Sequence, residues 1–320
     1  MAQRILQSPE LVGIAQVMAA AFLWGTVGIA AKMLPQPGLM SQELLGLLRL
    51  AIGGPALILF LLLLGRRAVP DRMDPVLLAG FAIGCATFQI SLFHAFDHLG
   101  VTVTVLLTVC LPPMISTGLS LLRRDRGATR GTLSALGLAS LGLAVFAMEG
   151  IASGGASLPL PGLGLAVLGS VAFVVMTAAA RRLTQRGNPL AVAGIGLTLS
   201  ALVLFGGAAL FDPQALLPAA MPDGRSVAVL LYLGLGPTAL AYVLYCRGVA
   251  RCRSANLGLV ASMVEPAFAM LLAWFLLAER LSLAGFAGCA LVLLGMATLL
   301  RSERRQVRAR MRVPVPSAQT

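Results

Sequence analysis

Charged residues are scarce in this sequence of 320 residues, and acidic residues are scarcer still. Only 11% of the residues are charged, against about a quarter in an average soluble protein. Hydrophobic residues make up 58% of the chain, and the mean hydropathy is +0.91. This composition excludes a soluble domain with an ordinary charged surface, and it favours a chain that is embedded in a lipid bilayer.

Cysteine is also rare, and no Cys-x-x-Cys pair occurs. The five cysteines lie in apolar segments or beside basic loops. We therefore interpret them as small apolar residues and not as disulfides or metal ligands. They are Cys85, Cys110, Cys246, Cys252 and Cys289.

The chain has two histidines, and both belong to one small polar cluster. His94 and His98 are four residues apart with Asp97 between them, a spacing that can bind a metal on one helix face. Because no further ligand is near, we favour a wet loop or an outer gate that changes its charge at mildly acidic pH. The sequence has no His-Glu-x-x-His motif, Asp-x-x-Asp pair or glycine-rich phosphate loop, so we predict no catalytic residue, metal or cofactor.

Apolar segments fill almost the whole chain. About 20 apolar residues are enough to cross the hydrocarbon core as one helix, and lipid cannot satisfy the free backbone amides of other structures. The sequence therefore predicts an all-α polytopic membrane protein with ten transmembrane helices. The predicted spans are Leu11–Ala31, Leu44–Leu64, Val76–Phe93, Gly100–Leu122, Gly131–Met148, Pro161–Ala180, Leu190–Phe211, Ser226–Cys246, Ser254–Leu277 and Ser282–Leu300.

Basic residues alternate with these spans along the chain. The 24 Lys and Arg residues exceed the 12 Asp and Glu residues, a balance that nucleic-acid-binding proteins also show. Here 20 basic residues fall in alternate loops and the terminal segments, whereas Lys32, Arg225 and Arg280 fall on the other side. This distribution predicts a bacterial inner-membrane protein with both termini in the cytoplasm and no nucleic-acid partner. Cleavage of the first span as a signal peptide would break the alternation, so we expect it to stay as an anchor.

An internal repeat emerges when the sequence is shifted by 154 residues against itself. The shift superposes Pro112 on Pro266 and Gly131 on Gly285. Each unit holds an odd number of spans, so the second unit enters the membrane from the opposite side, a common plan for secondary transporters. We expect two inverted five-helix repeats, residues 1–150 and 151–305, followed by a basic cytoplasmic tail, residues 306–320.

Prolines fall near the middle of the fourth and ninth predicted spans, at Pro112-Pro113 and Glu265-Pro266. Proline removes a backbone donor and disfavours helix in the preceding residue, so we predict a helix break and free carbonyl groups at both places. At mid-membrane depth such groups are tolerated only when they are buried in protein or face a wet cavity. The paired breaks therefore indicate a translocation path, and kinks that serve only packing are the alternative.

Two charged residues lie inside the predicted spans. Glu265 is near a span centre, where a carboxyl is costly unless it is paired, hydrated or protonated. We expect it to couple proton movement to cargo movement, and the alternative is a structural hydrogen bond to a neighbouring helix. Arg49 is expected to pair with Glu265 or to hold an anionic group of the cargo, unless it snorkels to the membrane surface.

Polar and aromatic residues within the spans complete the predicted site. Trp24, Gln89 and Tyr242 supply aromatic faces and hydrogen-bonding groups, which together suit a pocket for a small amphipathic molecule. Tyr245 belongs to the same group. For each of these aromatic residues, and for Tyr245 above all, an anchor at the membrane interface is the alternative.

Two motifs resemble those of the EamA-type drug/metabolite transporter superfamily. They are Leu23-Trp24-Gly25-Thr26 in the first span and Ala261-Ser262-Met263-Val264-Glu265-Pro266 with Leu277-Ala278-Glu279-Arg280-Leu281 around the ninth. The resemblance extends from about Gln16 to Leu300, and it implies uptake or export of small metabolites, often amino acids or related amphipathic compounds. In the first half Leu111 stands before the proline where the second half has Glu265, which leaves a single acidic site.

We therefore predict a secondary transporter of small metabolites that works by alternating access, with export as the favoured direction. Its expected partners are a small-molecule substrate, the lipid bilayer and protons, and the expected assembly is a monomer or a homodimer. A channel or a non-transporting receptor is the alternative. A membrane-embedded lipid-modifying enzyme has less support, because such chemistry needs clustered Asp, His or Cys at one membrane face.

Overall fold

The computed structural model is helical throughout the part of the chain that it describes, and no strand occurs there. The described residues are 8–34, 40–66, 73–123, 129–154, 160–218, 222–277 and 283–312. The helices are α1 (Pro9–Gly25), α2 (Val27–Lys32), α3 (Gln42–Leu63), α4 (Pro75–Leu122), α5 (Arg130–Gly154), α6 (Leu160–Arg186), α7 (Pro189–Phe211), α8 (Gly224–Gly234), α9 (Ala241–Arg251), α10 (Ala255–Ser262), α11 (Glu265–Leu277) and α12 (Leu283–Arg312). The motif residues Ala278–Leu281 and the end of the predicted tail, 313–320, lie outside the described residues.

Polar side chains fix where several helices begin. An oxygen of the preceding residue accepts a hydrogen bond from a backbone amide of the first turn, which satisfies a donor that the helix leaves free. The four capping residues, with distances of 2.8–3.0 Å, are Ser41, Asp74, Asn188 and Asp223. At the last of these, hydrogen bonds from the hydroxyl and amide of Ser226 hold the pKa of Asp223 below its usual range. Each cap stands at the edge of an apolar run, so the caps define where the spans start.

Eight helical segments within the described residues are long and apolar enough to cross a membrane. They coincide with predicted spans one to three and six to ten. Their bounds are Pro9–Ala30, Glu43–Leu63, Pro75–Leu99, Leu160–Arg186, Pro189–Phe211, Gly224–Arg251, Ala255–Leu276 and Leu283–Arg308. The fourth and fifth predicted spans coincide with two shorter apolar helices, Leu107–Leu122 and Arg130–Val145. The all-α multi-pass architecture is confirmed, and the count of ten spans stays a prediction.

Helix α4 contains the third and fourth predicted spans in one run, without the predicted loop near 95–99. A hydrogen bond shows that this helix is not straight: the Thr104 hydroxyl donates to the Ala95 carbonyl over 3.0 Å. Nine residues of straight helix rise by about 13.5 Å, so the chain must turn sharply between these two residues. The helix therefore has two arms, which correspond to the apolar segments Pro75–Leu99 and Leu107–Leu122.

The main helix contacts join the first half of the chain to the second half. Helix α4 packs along α6, α3 along α7, α1 along α9, and α5 along α12. The largest group of buried apolar residues is shared by both halves, with members from Leu11 to Leu299. One core therefore lies between the two halves, and helices of both halves position the side chains that face it.

Glycines allow several of these helix pairs to approach closely. A Cβ atom at Gly54 of α3 would lie 2.6 Å from the Thr198 amide nitrogen of α7, and one at Gly13 of α1 would lie 2.8 Å from the Gly248 carbonyl oxygen of α9. Both distances are far below a normal contact. Small residues at such crossings let backbones touch, which is a principal source of helix association in membranes.

We expect Gly54→Ala to lower the free energy of unfolding by about 1–3 kcal/mol, because the added methyl group overpacks the contact with Thr198. The matched control is Gly206→Ala in α7, where a Cβ atom meets nothing within 4 Å and alanine favours the helix over glycine. Thermal unfolding of the purified protein in detergent measures both variants. Equal melting temperatures for the two would contradict the close crossing of α3 and α7.

Candidate functional site

Aromatic side chains from four helices meet in the shared core. The Trp24 ring of α1 lies 5.5 Å from Tyr242 and 5.1 Å from Tyr245, both on α9, between ring centroids. It also lies 6.3 Å from Phe173 of α6, which in turn lies 5.0 Å from Phe88 of α4. These separations are those of favourable edge-to-face and tilted pairs. We refer to these five residues as the aromatic cluster.

The two tyrosine hydroxyls of the cluster have polar partners. The Tyr245 hydroxyl lies 2.7 Å from the Thr177 hydroxyl of α6, and the Tyr242 hydroxyl lies 3.6 Å from the Cys85 sulfur of α4. Tyr245 has 0% of its surface exposed, so it lies inside the bundle and not at the membrane interface. Cys85 is a buried hydrogen-bonding partner as well as the small core residue that the sequence predicts.

Arg49 reaches the edge of the aromatic cluster from α3. Its Nε donates a hydrogen bond of 3.2 Å to the Thr238 hydroxyl, which itself donates to the Leu233 carbonyl at 2.8 Å. Thr238 belongs to a π-helical turn, Leu235–Leu240, that separates α8 from α9, and such turns occur frequently at functional sites. Arg49 is half-buried and held by a neighbouring span, so it does not snorkel to the surface.

Glu265 stands at the start of α11, directly after an interruption at Met263 and Val264 that ends α10 at Ser262. The residue is half-buried. Arg49 is the cation that acts on it electrostatically, and within the described residues the two groups form no direct ion pair. The Glu265 backbone packs against α1 next to Trp24, since a Cβ atom at Gly25 would lie 3.3 Å from the Glu265 carbonyl oxygen.

The prolines of the two predicted breaks differ in their surroundings. Pro266 lies in the first turn of α11, after the interruption, where proline is tolerated. The predicted break at Pro112-Pro113 is absent, because α4 continues as helix through both residues. Each proline removes only its own amide, so the carbonyls of Thr108 and Val109 lose their usual partner while the flanking turns persist.

Gln89 is buried in α4, with 6% of its surface exposed. It follows Cys85 by one helical turn and so shares its face of the helix. That face meets Tyr242 through the Cys85 sulfur. Gln89, which the sequence predicts as a site residue, therefore lies on the side of α4 that faces the core.

The histidine cluster lies apart from this site. His94, Asp97 and His98 are exposed on α4 close to its turn. In the described part of the chain, no group of three or more potential metal ligands comes together. The arrangement fits the predicted wet surface and gives no support to a metal site.

A second polar network joins four segments at the end of the bundle that carries the basic loops. Arg253, in the connection between α9 and α10, forms an ion pair of 2.7 Å with Glu303 of α12. The same guanidinium donates to the Thr129 hydroxyl at 3.1 Å, next to the start of α5. Arg181 of α6 donates to the backbone carbonyl of Arg253 at 2.9 Å. This network connects α6, α12 and the start of α5 through the loop between α9 and α10.

Comparison with known proteins assigns the chain to a family. The model of the EamA-like transporter family matches residues 11–148 and again residues 160–301, which together make up most of the chain. The protein belongs to the EamA-like transporter family. The chain is thus a membrane transporter.

Two curated relatives of this EamA-like protein are also transporters by name. The "Uncharacterized transporter YwfM" of Bacillus subtilis (strain 168) is 26% identical over 291 residues, which cover 91% of this chain and 94% of the relative. The "Uncharacterized inner membrane transporter YicL" of Salmonella typhimurium is 24% identical over 308 residues, which cover 93% of this chain and 98% of the relative. One crystal structure superposes with a TM-score of 0.75 at 23% identity, over 93% of this chain and 98% of that one. The two relatives support a multi-pass membrane transporter, and the crystal structure shows that the fold is shared.

Three residues of the site in this EamA-like chain could not be predicted from the sequence. Phe173, Thr177 and Thr238 are ordinary residue types for a transmembrane helix. The packing of α6 on α9 brings Phe173 and Thr177 to the aromatic cluster, and the π-helical turn before α9 brings Thr238 to Arg49. A weak signal exists for two of them. Phe173 and Thr177 are one helical turn apart and so present an aromatic ring and a hydroxyl on one face of α6.

Proposed function

We propose that this protein is a secondary carrier that moves small amphipathic metabolites, such as amino acids, across the bacterial inner membrane by alternating access. Export is the proposed direction, and proton coupling through Glu265 is the proposed driving mechanism. One observation carries the proposal: Arg49 contacts the turn that precedes α9, and the Glu265 backbone packs on Gly25 beside Trp24, so both charged residues flank the aromatic cluster in the core that the two halves share. Binding sites of secondary transporters lie in this position, at the interface between repeats.

The helix contacts support two inverted repeats, residues 1–150 and 151–305. The first helix of each half packs against the third helix of the other half, α1 on α9 and α6 on α4. The second helices, α3 and α7, pack on each other, and so do the last helices, α5 and α12. These contacts are unchanged when the two halves are exchanged. In the proposed topology the two shorter apolar helices are the fourth and fifth of ten spans, and both termini are cytoplasmic.

The charges of the site suit a zwitterionic cargo. Arg49 carries a planar guanidinium that can hold a carboxylate through two parallel hydrogen bonds. Glu265 offers acceptor oxygens to an ammonium group or takes up a proton in its place. The rings of Trp24 and Tyr242 then provide the apolar surface for the rest of the molecule.

A test of this function measures net flux and counterflow of radiolabelled amino acids in proteoliposomes, for the wild type and for Glu265→Gln. We expect both to catalyse counterflow, because the amide keeps the shape of the site. Only the wild type should be accelerated by a pH gradient, because only the carboxyl can carry a proton. The control is Asp212→Asn at the end of α7, which removes an exposed carboxyl, keeps a capping oxygen for the Ala215 amide and should respond to the gradient like the wild type. An unaltered response in Glu265→Gln would refute the coupling role.

A further inference from the structure

A groove of about 420 Å³ runs between α1, α9 and α12, apart from the aromatic cluster. Its lining is mostly apolar, and it includes Ala15, Ala19, Leu244 and Leu300. Ala15 and Ala19 are one helical turn apart and exposed, so their small side chains leave a recess between larger neighbours. All three helices belong to segments apolar enough to span a membrane, which means that the groove opens toward lipid.

One end of this groove is cationic. Arg304 of α12 and Gln16 of α1 are its polar lining residues, and Arg251 of α9 donates a hydrogen bond of 2.9 Å to the Gln16 side chain. Arg251 and Arg304 are both exposed, so their charges remain open to a ligand. Glu10 lies nearby, at the start of α1, and already has an interaction partner. Two guanidinium groups from two helices therefore flank the mouth of an apolar recess.

The groove matches a membrane lipid in its polarity, with an apolar part for an acyl chain and a cationic end for a headgroup. From Leu11 to Ala19 it extends about 12 Å along α1 at the rise of an α-helix. The two arginines of its cationic end lie at the ends of their spans, because Arg251 is the last residue of Gly224–Arg251 and Arg304 lies one turn before the end of Leu283–Arg308. Basic pockets between transmembrane helices bind anionic lipid headgroups. We propose that this groove binds one anionic phospholipid from the leaflet on the basic side, with an acyl chain against Ala15 and Ala19 and the phosphate between Arg251 and Arg304.

The test is native mass spectrometry of the full chain, purified and supplied with phosphatidylglycerol or with phosphatidylcholine of the same acyl chains. We expect one phosphatidylglycerol to stay bound and phosphatidylcholine to be displaced. Arg304→Gln should weaken the binding of phosphatidylglycerol about fivefold, since it removes one basic contact near the membrane surface. Ala19→Phe should also reduce the retention of phosphatidylglycerol. Its ring fills the apolar recess where the acyl chain would lie and leaves both arginines in place.

The control is Arg301→Gln, which makes the same charge change on α12 at an exposed residue outside the groove. It should retain phosphatidylglycerol like the wild type. Equal loss in Arg301→Gln and Arg304→Gln would show that general surface charge attracts the lipid, and equal retention of both lipids would show unspecific apolar adhesion. Either result would overturn the proposed site, as would full retention in Ala19→Phe and Arg304→Gln together. Thermal unfolding confirms that each variant is folded.

Discussion

Arg253→Gln is expected to lower the free energy of unfolding by about 3–5 kcal/mol, the usual cost of removing one member of a buried ion pair. Glu303 has only 1% of its side chain exposed and lies 2.7 Å from the Arg253 guanidinium, so the substitution leaves a buried carboxylate without this cation. The hydrogen bond to Thr129 is lost with it. The loop between α9 and α10 thereby loses its attachment to α12 and to the start of α5.

Thermal unfolding in detergent, with two further variants, checks this expectation. Arg247→Gln is the control, because Arg247 is an exposed arginine of α9, and it should have little effect. The double variant Arg253→Gln/Glu303→Gln should recover part of the loss, since it no longer buries a carboxylate that has lost this cation. A single variant as stable as Arg247→Gln, or a double variant no better than the single one, would contradict a stabilising ion pair.

Arg49→Gln is expected to have the largest effect on transport, a decrease of at least about 30-fold in the counterflow rate. Truncating one partner of a buried, hydrogen-bonded charge contact costs about 2–5 kcal/mol of binding, and Arg49 is the cation at the proposed cargo site. The counterflow rate of Arg49→Lys should lie between those of the wild type and Arg49→Gln, because lysine keeps the positive charge and loses the planar guanidinium. Initial rates at several cargo concentrations measure the effect.

The control for Arg49 is Arg182→Gln, which removes an exposed cation of α6 and should leave transport unchanged. Melting temperatures of all variants separate a loss of binding from a loss of folding. Wild-type rates in a well-folded Arg49→Gln variant would show that the cargo does not depend on this guanidinium. Such a result would leave the residue with the structural role that its hydrogen bond to Thr238 supplies.

The spans were predictable because hydropathy is a local property of the sequence. The course of α4 was not, since it depends on a contact between Thr104 and Ala95, two residues of unremarkable type. The break at Pro112-Pro113 was predicted wrongly for a related reason. A proline removes one helical hydrogen bond, but the surrounding packing decides whether the helix stops there.

The site was predictable where it depends on residues that are rare within spans. Arg49, Glu265 and Trp24 stand out because charge and indole are costly or uncommon in lipid, and the structure places them around one core. Phe173, Thr177 and Thr238 do not stand out, because phenylalanine and threonine are common in such helices. Their roles depend on which helices pack together, and this is information that only the fold supplies.

The measurement that tests the account most directly is trans-stimulated uptake in proteoliposomes made with the wild-type protein. Labelled amino acids are offered outside, and vesicles are loaded either with buffer or with the same unlabelled compound. A carrier with one site that faces the two sides in turn predicts saturable uptake that is faster in the loaded vesicles. Uptake that rises linearly with concentration and ignores the internal compound would contradict alternating access and indicate a channel.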